Sequence, residues 1–121
     1  TNTSPEKGQF DPCPEGWRIP TDQEMKELIL NSSGVVTLDN GQTGIYFRGL
    51  YNYSSTVPCI FLPMSGWRRS LDGEVSGINR FGNYWTSTVD SWNVKELILT
   101  SDFEINLTDR ANGLSVRCIQ D

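Results

Sequence analysis

Apolar residues follow a helical period early in the chain and an alternating one afterwards. In TDQEMKELIL (21–30), Met25, Leu28 and Ile29 fall at i, i+3 and i+4, one stripe on a helix. Thr21 is a good N-cap, and Glu24 three residues later completes a capping box. Asp22 and Glu24 put negative charge in the first turn, where the helix dipole favours it. The pattern predicts one main helix over about 22–31, ended by NSSG at 31–34. Beyond it, GIYFRGLYNY (44–53), CIFLPM (59–64), NYWTSTV (83–89), VKELILTSDFEINL (94–107) and LSVRCIQD (114–121) are β-rich. Leu97, Leu99, Phe103, Ile105 and Leu107 keep one parity, so the 94–107 segment predicts two strands joined by a tight turn, or one bent strand, with a common buried face.

Between the strands lie long polar stretches, SGWRRSLDGEVSGINRFG at 65–82 and TDRANG at 108–113. Loops this long in a compact domain are usually functional or disordered. Ahead of the helix stands DPCPEGWRIPT (11–21), with three prolines, a glycine, a cysteine and a tryptophan. It is too stiff for a linker and too broken for a regular element, and it predicts a rigid approach that aims the helix.

At 121 residues the chain is expected to form one domain over 11–121, after a polar lead-in at 1–10. The net charge of −5 and the lack of a basic run argue against nucleic-acid and anionic-membrane partners. No apolar run approaches the roughly 20 residues of a spanning helix, so no direct membrane insertion is expected.

Three cysteines leave at least one thiol unpaired within the chain. Cys59, in VPCIFLPM, is expected to be an inert core thiol. Cys13 and Cys118 would staple the two ends together, implying an oxidising compartment, or they are two unrelated buried thiols; composition leaves both open.

In order along the chain, CPEGWRIPTDQEMKELI, FLPMSGWRR, GNYWTSTV and RANGLSVRCIQD resemble the Fibrobacter succinogenes major paralogous domain, found in surface proteins of Bacteroidetes-type bacteria. The likeness runs from Asp11 to Asp121 and is loose over 31–58. It implies an α+β chain with a C-type lectin-like fold: small twisted antiparallel sheets, paired termini, one helix and long loops. It also implies that Cys13 and Cys118 pair, with the rigid segment locked beside the last strand. Trp17, Trp67 and Trp85 lie in these segments, where a core role is expected.

The sequence has no histidine, which removes Ser-His-Asp and Cys-His catalysis and His-rich metal sites. No catalytic residue and no cofactor is assigned, and an enzyme is not expected. Relatedness to formylglycine-generating enzymes would need a reactive cysteine pair and a larger domain, and the chain offers neither. Asp72/Glu74 and Asp102/Glu104 are expected to be solvated charges. Many C-type lectins hold sugar through calcium with proline-centred triplets and Trp-Asn-Asp. Here WNV stands at 92–94, so no sugar-type calcium motif carries over, although a calcium site elsewhere stays open. Arg18 and Arg117 are expected to be structural. Asn31, Asn52 and Asn106 match the glycosylation acceptor pattern and are expected to stay unmodified.

Ligand binding is expected from loops 65–82, 89–93 and 108–113, through Arg69, Asn79, Arg80, Trp92, Asn93 and Asp109, with Trp92 the best candidate for an exposed ring. Aromatic faces suit sugar rings, and Arg, Asn and Asp can hydrogen-bond hydroxyls; the same groups suit a protein hot spot. The expected function is an adhesin-type module on the bacterial cell surface. It would bind a glycan or a host or neighbouring-cell surface protein, beside other domains of one precursor. The alternative is a structural or assembly module of a surface or fimbrial protein with no free ligand.

Overall fold

The computed structural model describes residues 9, 11–30, 32–47, 60–100 and 102–120. Most of the expected lead-in, the Cys59 thiol, the strand expected beyond residue 47, and the acceptor sites Asn31 and Asn52 lie outside them. The described chain is α+β: one short helix and small antiparallel sheets.

Helix α1 (Asp22–Leu30) begins where its cap predicts. Thr21 Oγ1 accepts from the Glu24 N–H at 3.2 Å, and Glu24 Oε1 accepts from the Thr21 N–H at 2.8 Å, a closed capping box. Buried Arg18 donates to both Glu24 oxygens at 2.7 Å, which fixes the approach segment to the first turn. The Arg18 guanidinium is the main reason the Glu24 carboxyl falls to a pKa of about 2; the Thr21 hydrogen bonds add to it against the opposing effect of burial. This is the structural role expected of Arg18.

The approach segment contains β1 (Trp17–Arg18), which pairs antiparallel with β10 (Ile119–Gln120). Alongside, Cys13 and Cys118 are disulfide-bonded, with Cα atoms 5.9 Å apart. The stiff DPCPEGWRIPT stretch therefore lies against the C-terminal strand, tied twice.

The helix ends at Leu30, where NSSG is expected to stop it, and the chain then enters a strand. Ser32–Thr37 is strand β2, which pairs with β3 (Thr43–Phe47), and β3 pairs with β4 (Ile60–Pro63). A glycine and two serines predict a terminus locally, and pairing with β3 overrides that propensity. The second sheet has the order β7-β8-β9, from Gly82–Asp90, Asn93–Leu99 and Phe103–Thr108. The 94–107 segment is thus two strands joined by a tight turn, the first of the two arrangements its parity allowed.

The core lies between α1 and the two sheets: Met25, Ile29, Ile45, Leu62, Met64, Tyr84, Leu97 and Leu99, with Leu28, Phe103 and Ile105 against it. Of the five same-parity residues, four face this core, whereas Leu107 at the strand end is exposed. Tyr84 donates to the Pro63 carbonyl at 2.7 Å, and burial pushes its phenol well above the ordinary range. On the helix side, Asp22 Oδ1 accepts from Thr88 at 2.8 Å and Oδ2 from Lys95 at 3.3 Å. Desolvation would raise the Asp22 pKa, but these bonds and one from the Gln23 N–H outweigh it and hold the pKa below its ordinary value.

The tryptophans depart from expectation. Trp17 is 41% exposed, Trp67 and Trp85 are half-buried, and none belongs to the core cluster. Their strands are short or present them on the sheet face away from α1, and the core between helix and sheets is filled by Tyr84, methionine and aliphatic side chains.

Candidate functional site

The 65–82 stretch is not a structureless loop. It holds a hairpin of β5 (Trp67–Arg68) and β6 (Val75–Ser76), closed by Gly73, whose φ of 73° suits glycine. Gly66 lets the hairpin leave the sheet: its φ is also 73°, and a Cβ there would collide with the Ser76 carbonyl oxygen.

Two ties fold the hairpin over the second sheet. Arg68 and Gly113 exchange backbone hydrogen bonds at 2.7 and 2.9 Å. Asn112 Oδ1 accepts from the Ser70 N–H at 3.0 Å, while its Nδ2 donates to Thr108 Oγ1 at 3.2 Å. Ser115 in turn bonds Asn83 and Trp85 through backbone at 2.9 and 3.0 Å, which seats the 109–115 segment along β7.

Strand alternation decides what the hairpin covers. Tyr84, Leu97, Leu99, Phe103 and Ile105 face the core, so Asn83, Glu96, Ile98 and Glu104 face the other way. Between that face and the hairpin is a cavity of about 370 Å³, walled by Trp67 and Phe81 and also lined by Asn83, Glu96, Ile98, Thr100, Glu104 and Asn112. The two rings meet edge to face with centroids 6.1 Å apart.

The polar floor of the cavity is unusual. Asn83 and Glu96 are each 6% exposed, and Asn83 Nδ2 donates to Glu96 Oε1 at 2.7 Å. In register Asn83 opposes Ile98 and Trp85 opposes Glu96, so the bonded pair are diagonal neighbours. This orientation of the amide leaves Asn83 Oδ1 buried with no hydrogen-bond partner among the described residues. Among the described residues no other group donates to the Glu96 carboxylate. Unpaired buried polar atoms are rare because each carries a desolvation cost of about 1–3 kcal/mol.

The lining brings together two amides, two carboxylates, a hydroxyl and two aromatic rings, groups that can hydrogen-bond, carry charge and stack. Among the described residues no three His, Cys, Asp or Glu side chains gather as a metal site.

The family described as the Fibrobacter succinogenes major domain matches residues 2–120. The chain belongs to this family. No curated protein and no solved structure matches the chain significantly. CPEGWRIPT and SVRC, the segments that carry the resemblance at the two ends, are joined by the Cys13–Cys118 bond, and β1 in the first pairs with β10, which directly follows the second.

Within this family member, the residues expected at a ligand surface fall into two groups. Trp92, 88% exposed, and Asn93 stand at the β7–β8 turn, where Ser91 has a left-handed φ of 56°. The Trp92 carbonyl accepts from Arg110 Nε at 2.9 Å, which joins this turn to the 108–113 loop. In that loop Asp109 Oδ1 caps the Ala111 N–H at 2.9 Å. Arg69 sits on the hairpin, 3.5 Å from Asp72, next to the Ser70–Asn112 bond. The 108–113 loop thus touches both of the others.

Asn79 and Arg80 stand elsewhere. Asn79, at a φ of 61°, accepts from the Thr43 N–H at 3.1 Å and donates its own N–H to the Met64 carbonyl at 2.7 Å, which ties the hairpin's exit to the first sheet. Arg80 is exposed beside it, next to the Gly82–Leu99 end of the sheet. Trp92 and Asn93 are at the far end of β8, about 20 Å away along six residues of strand.

Asn83, Glu96, Ile98, Thr100 and Asn112 were not singled out from sequence, and Glu104 was weighed there only as a solvated charge. The available signal was the polar half of the alternation in β7, β8 and β9, which ordinarily marks a solvent face.

Proposed function

We propose that the domain is a non-enzymatic, extracellular ligand-binding module with C-type lectin-like architecture, an adhesin-type part of a bacterial surface protein. The observation that carries this reading is the aromatic-walled cavity over a buried amide oxygen that has no partner among the described residues. A site left short of hydrogen bonds at a cost to stability is a site made for a ligand that supplies them. The Cys13–Cys118 bond supports an oxidising, extracytoplasmic setting. Arg69 and Asp109 border the same hairpin and loop, and Trp92 and Asn93 extend the surface along the sheet.

A glycan array, run with and without calcium and paired with a screen of surface proteins, tests the reading. Ligand binding that falls at least tenfold on Trp67→Ala supports it. A proven ligand bound equally well by Trp67→Ala and Phe81→Ala places recognition outside the cavity and sinks it.

A second reading, an assembly module with no free ligand, is favoured by Trp92, a large ring left almost wholly exposed at a hairpin tip. It expects Trp92→Ala to disrupt association with the neighbouring domain of the precursor and the ligand screens to stay silent.

A further inference from the structure

The polar groups around the cavity differ in what they have left to offer. Three of the donor groups are already engaged. Asn83 Nδ2 is given to Glu96, Asn112 Nδ2 to Thr108, and the Thr100 hydroxyl to the Asp102 carbonyl at 3.2 Å. The acceptors are not. Glu96 receives one hydrogen bond among the described residues, Asn83 Oδ1 receives none, and the Glu104 carboxylate stands exposed beside them. Nearby cations are engaged elsewhere. Arg68 donates to the Gly73 carbonyl, Arg69 pairs with Asp72, and Lys95 crosses to Asp22 on the other face of the sheet.

We propose that this cavity binds a primary alkylammonium group, the lysine side chain of a partner protein. The inference rests on the binding-module reading and names the ligand chemistry of its cavity. An ammonium carries three donors and no acceptor, which complements the acceptors left open at Asn83 Oδ1 and Glu96. Its charge would meet Glu96, a carboxylate only 6% exposed that lacks a cationic partner among the described residues. Its methylene stem would lie along Trp67, Phe81 and Ile98, where the ring faces also attract a cation. A neutral sugar is a poorer match, because it brings no charge to meet the buried Glu96 carboxylate. Glu104 at the cavity and a net charge of −5 favour the approach of a cationic group.

The test uses the intact domain with four small probes: n-butylammonium, Nα-acetyl-lysine methylamide, n-butanol as the neutral control, and glucosamine. Glucosamine is the sugar-borne amine. Heteronuclear NMR follows the Trp67 indole N–H and the Asn83 side-chain amide. Saturable shifts at both signals with the two alkylammonium probes, and none with butanol, are expected. Glu96→Gln, which keeps shape and removes charge, should weaken binding by about tenfold or more. Near-ultraviolet circular dichroism verifies its fold, and the butylammonium–butanol comparison carries the test if that variant does not fold. Absence of shifts with butylammonium, equal shifts with butanol, undiminished binding by folded Glu96→Gln, or preference for glucosamine over the lysine derivative each overturns the proposal. A glycan-array ligand lost on Trp67→Ala would keep the binding-module reading alive even then, so the two can fail separately.

Discussion

At the scale of single residues, Glu24 does the most with least. It closes the capping box on Thr21 and takes both hydrogen bonds from Arg18, so one carboxylate sets the helix start and anchors the segment that leads into it. Its folded pKa of about 2 lies below the ordinary value of 4.5, so its contribution is complete above that ordinary value and is lost as pH falls toward 2. Urea titrations at a series of pH values should show stability declining across that window, and Glu24→Gln should flatten the decline. At neutral pH the substitution is expected to cost about 1–2 kcal/mol, because the side chain is 29% exposed and solvent screens part of the interaction. Asp22 acts in the same direction, its carboxyl held low by Thr88, Lys95 and the Gln23 N–H against the desolvation that opposes them.

At the scale of elements, the β5–β6 hairpin decides whether a cavity exists. Its root needs a backbone conformation that side chains rarely adopt, and the room for a Cβ at Gly66 is taken by the Ser76 carbonyl. Gly66→Ala should therefore lower stability by about 2–3 kcal/mol, read as a fall in melting temperature. Amide exchange should speed up in Trp67–Ser76 before the helix is affected. Asn112 is the complementary tie, since one side chain holds the hairpin through Ser70 and β9 through Thr108. Asn112→Ala is expected to cost about 1–2 kcal/mol and to raise hydrogen exchange at the Ser70 amide, with α1 protection unchanged. If exchange at Ser70 stays as slow as in the parent protein, the tie has been overrated.

At the scale of the whole molecule, the disulfide spans a sequence separation of 105 and sits beside the β1–β10 pair. Closing so long a loop restricts the unfolded chain, and in the chain-entropy account contributes about 4.7 kcal/mol. The paired substitution Cys13→Ser with Cys118→Ser should cost about 2–5 kcal/mol in denaturant unfolding. Thiol-specific alkylation of native, unreduced protein should leave both cysteines unlabelled; labelling of either would remove the tie from the account. With its ends fastened, the domain can carry the hairpin and the 108–113 loop as excursions, because neither has to hold the body together.

The sequence by itself determined the elements whose cause is local. The capping box and the i, i+3, i+4 stripe placed α1 within a residue of its observed end, and parity from Leu97 to Ile105 assigned the core face of β8 and β9. The motifs CPEGWRIPT and SVRC carried the family and, through it, the disulfide. What only tertiary structure decided has its cause in distant partners. Ser32–Thr37 became a strand because β3 lies beside it, and two residues on either side of a turn became a hairpin inside a stretch that looked irregular. The cavity is the clearest case. Asn83, Glu96 and Glu104 occupy the polar positions of alternating strands, a pattern that is the same for a face open to water and for one roofed by a hairpin. Periodicity records which side of a strand a residue takes; what covers that side depends on hydrogen bonds such as Arg68 to Gly113, made between residues 45 positions apart, beyond the reach of any local pattern.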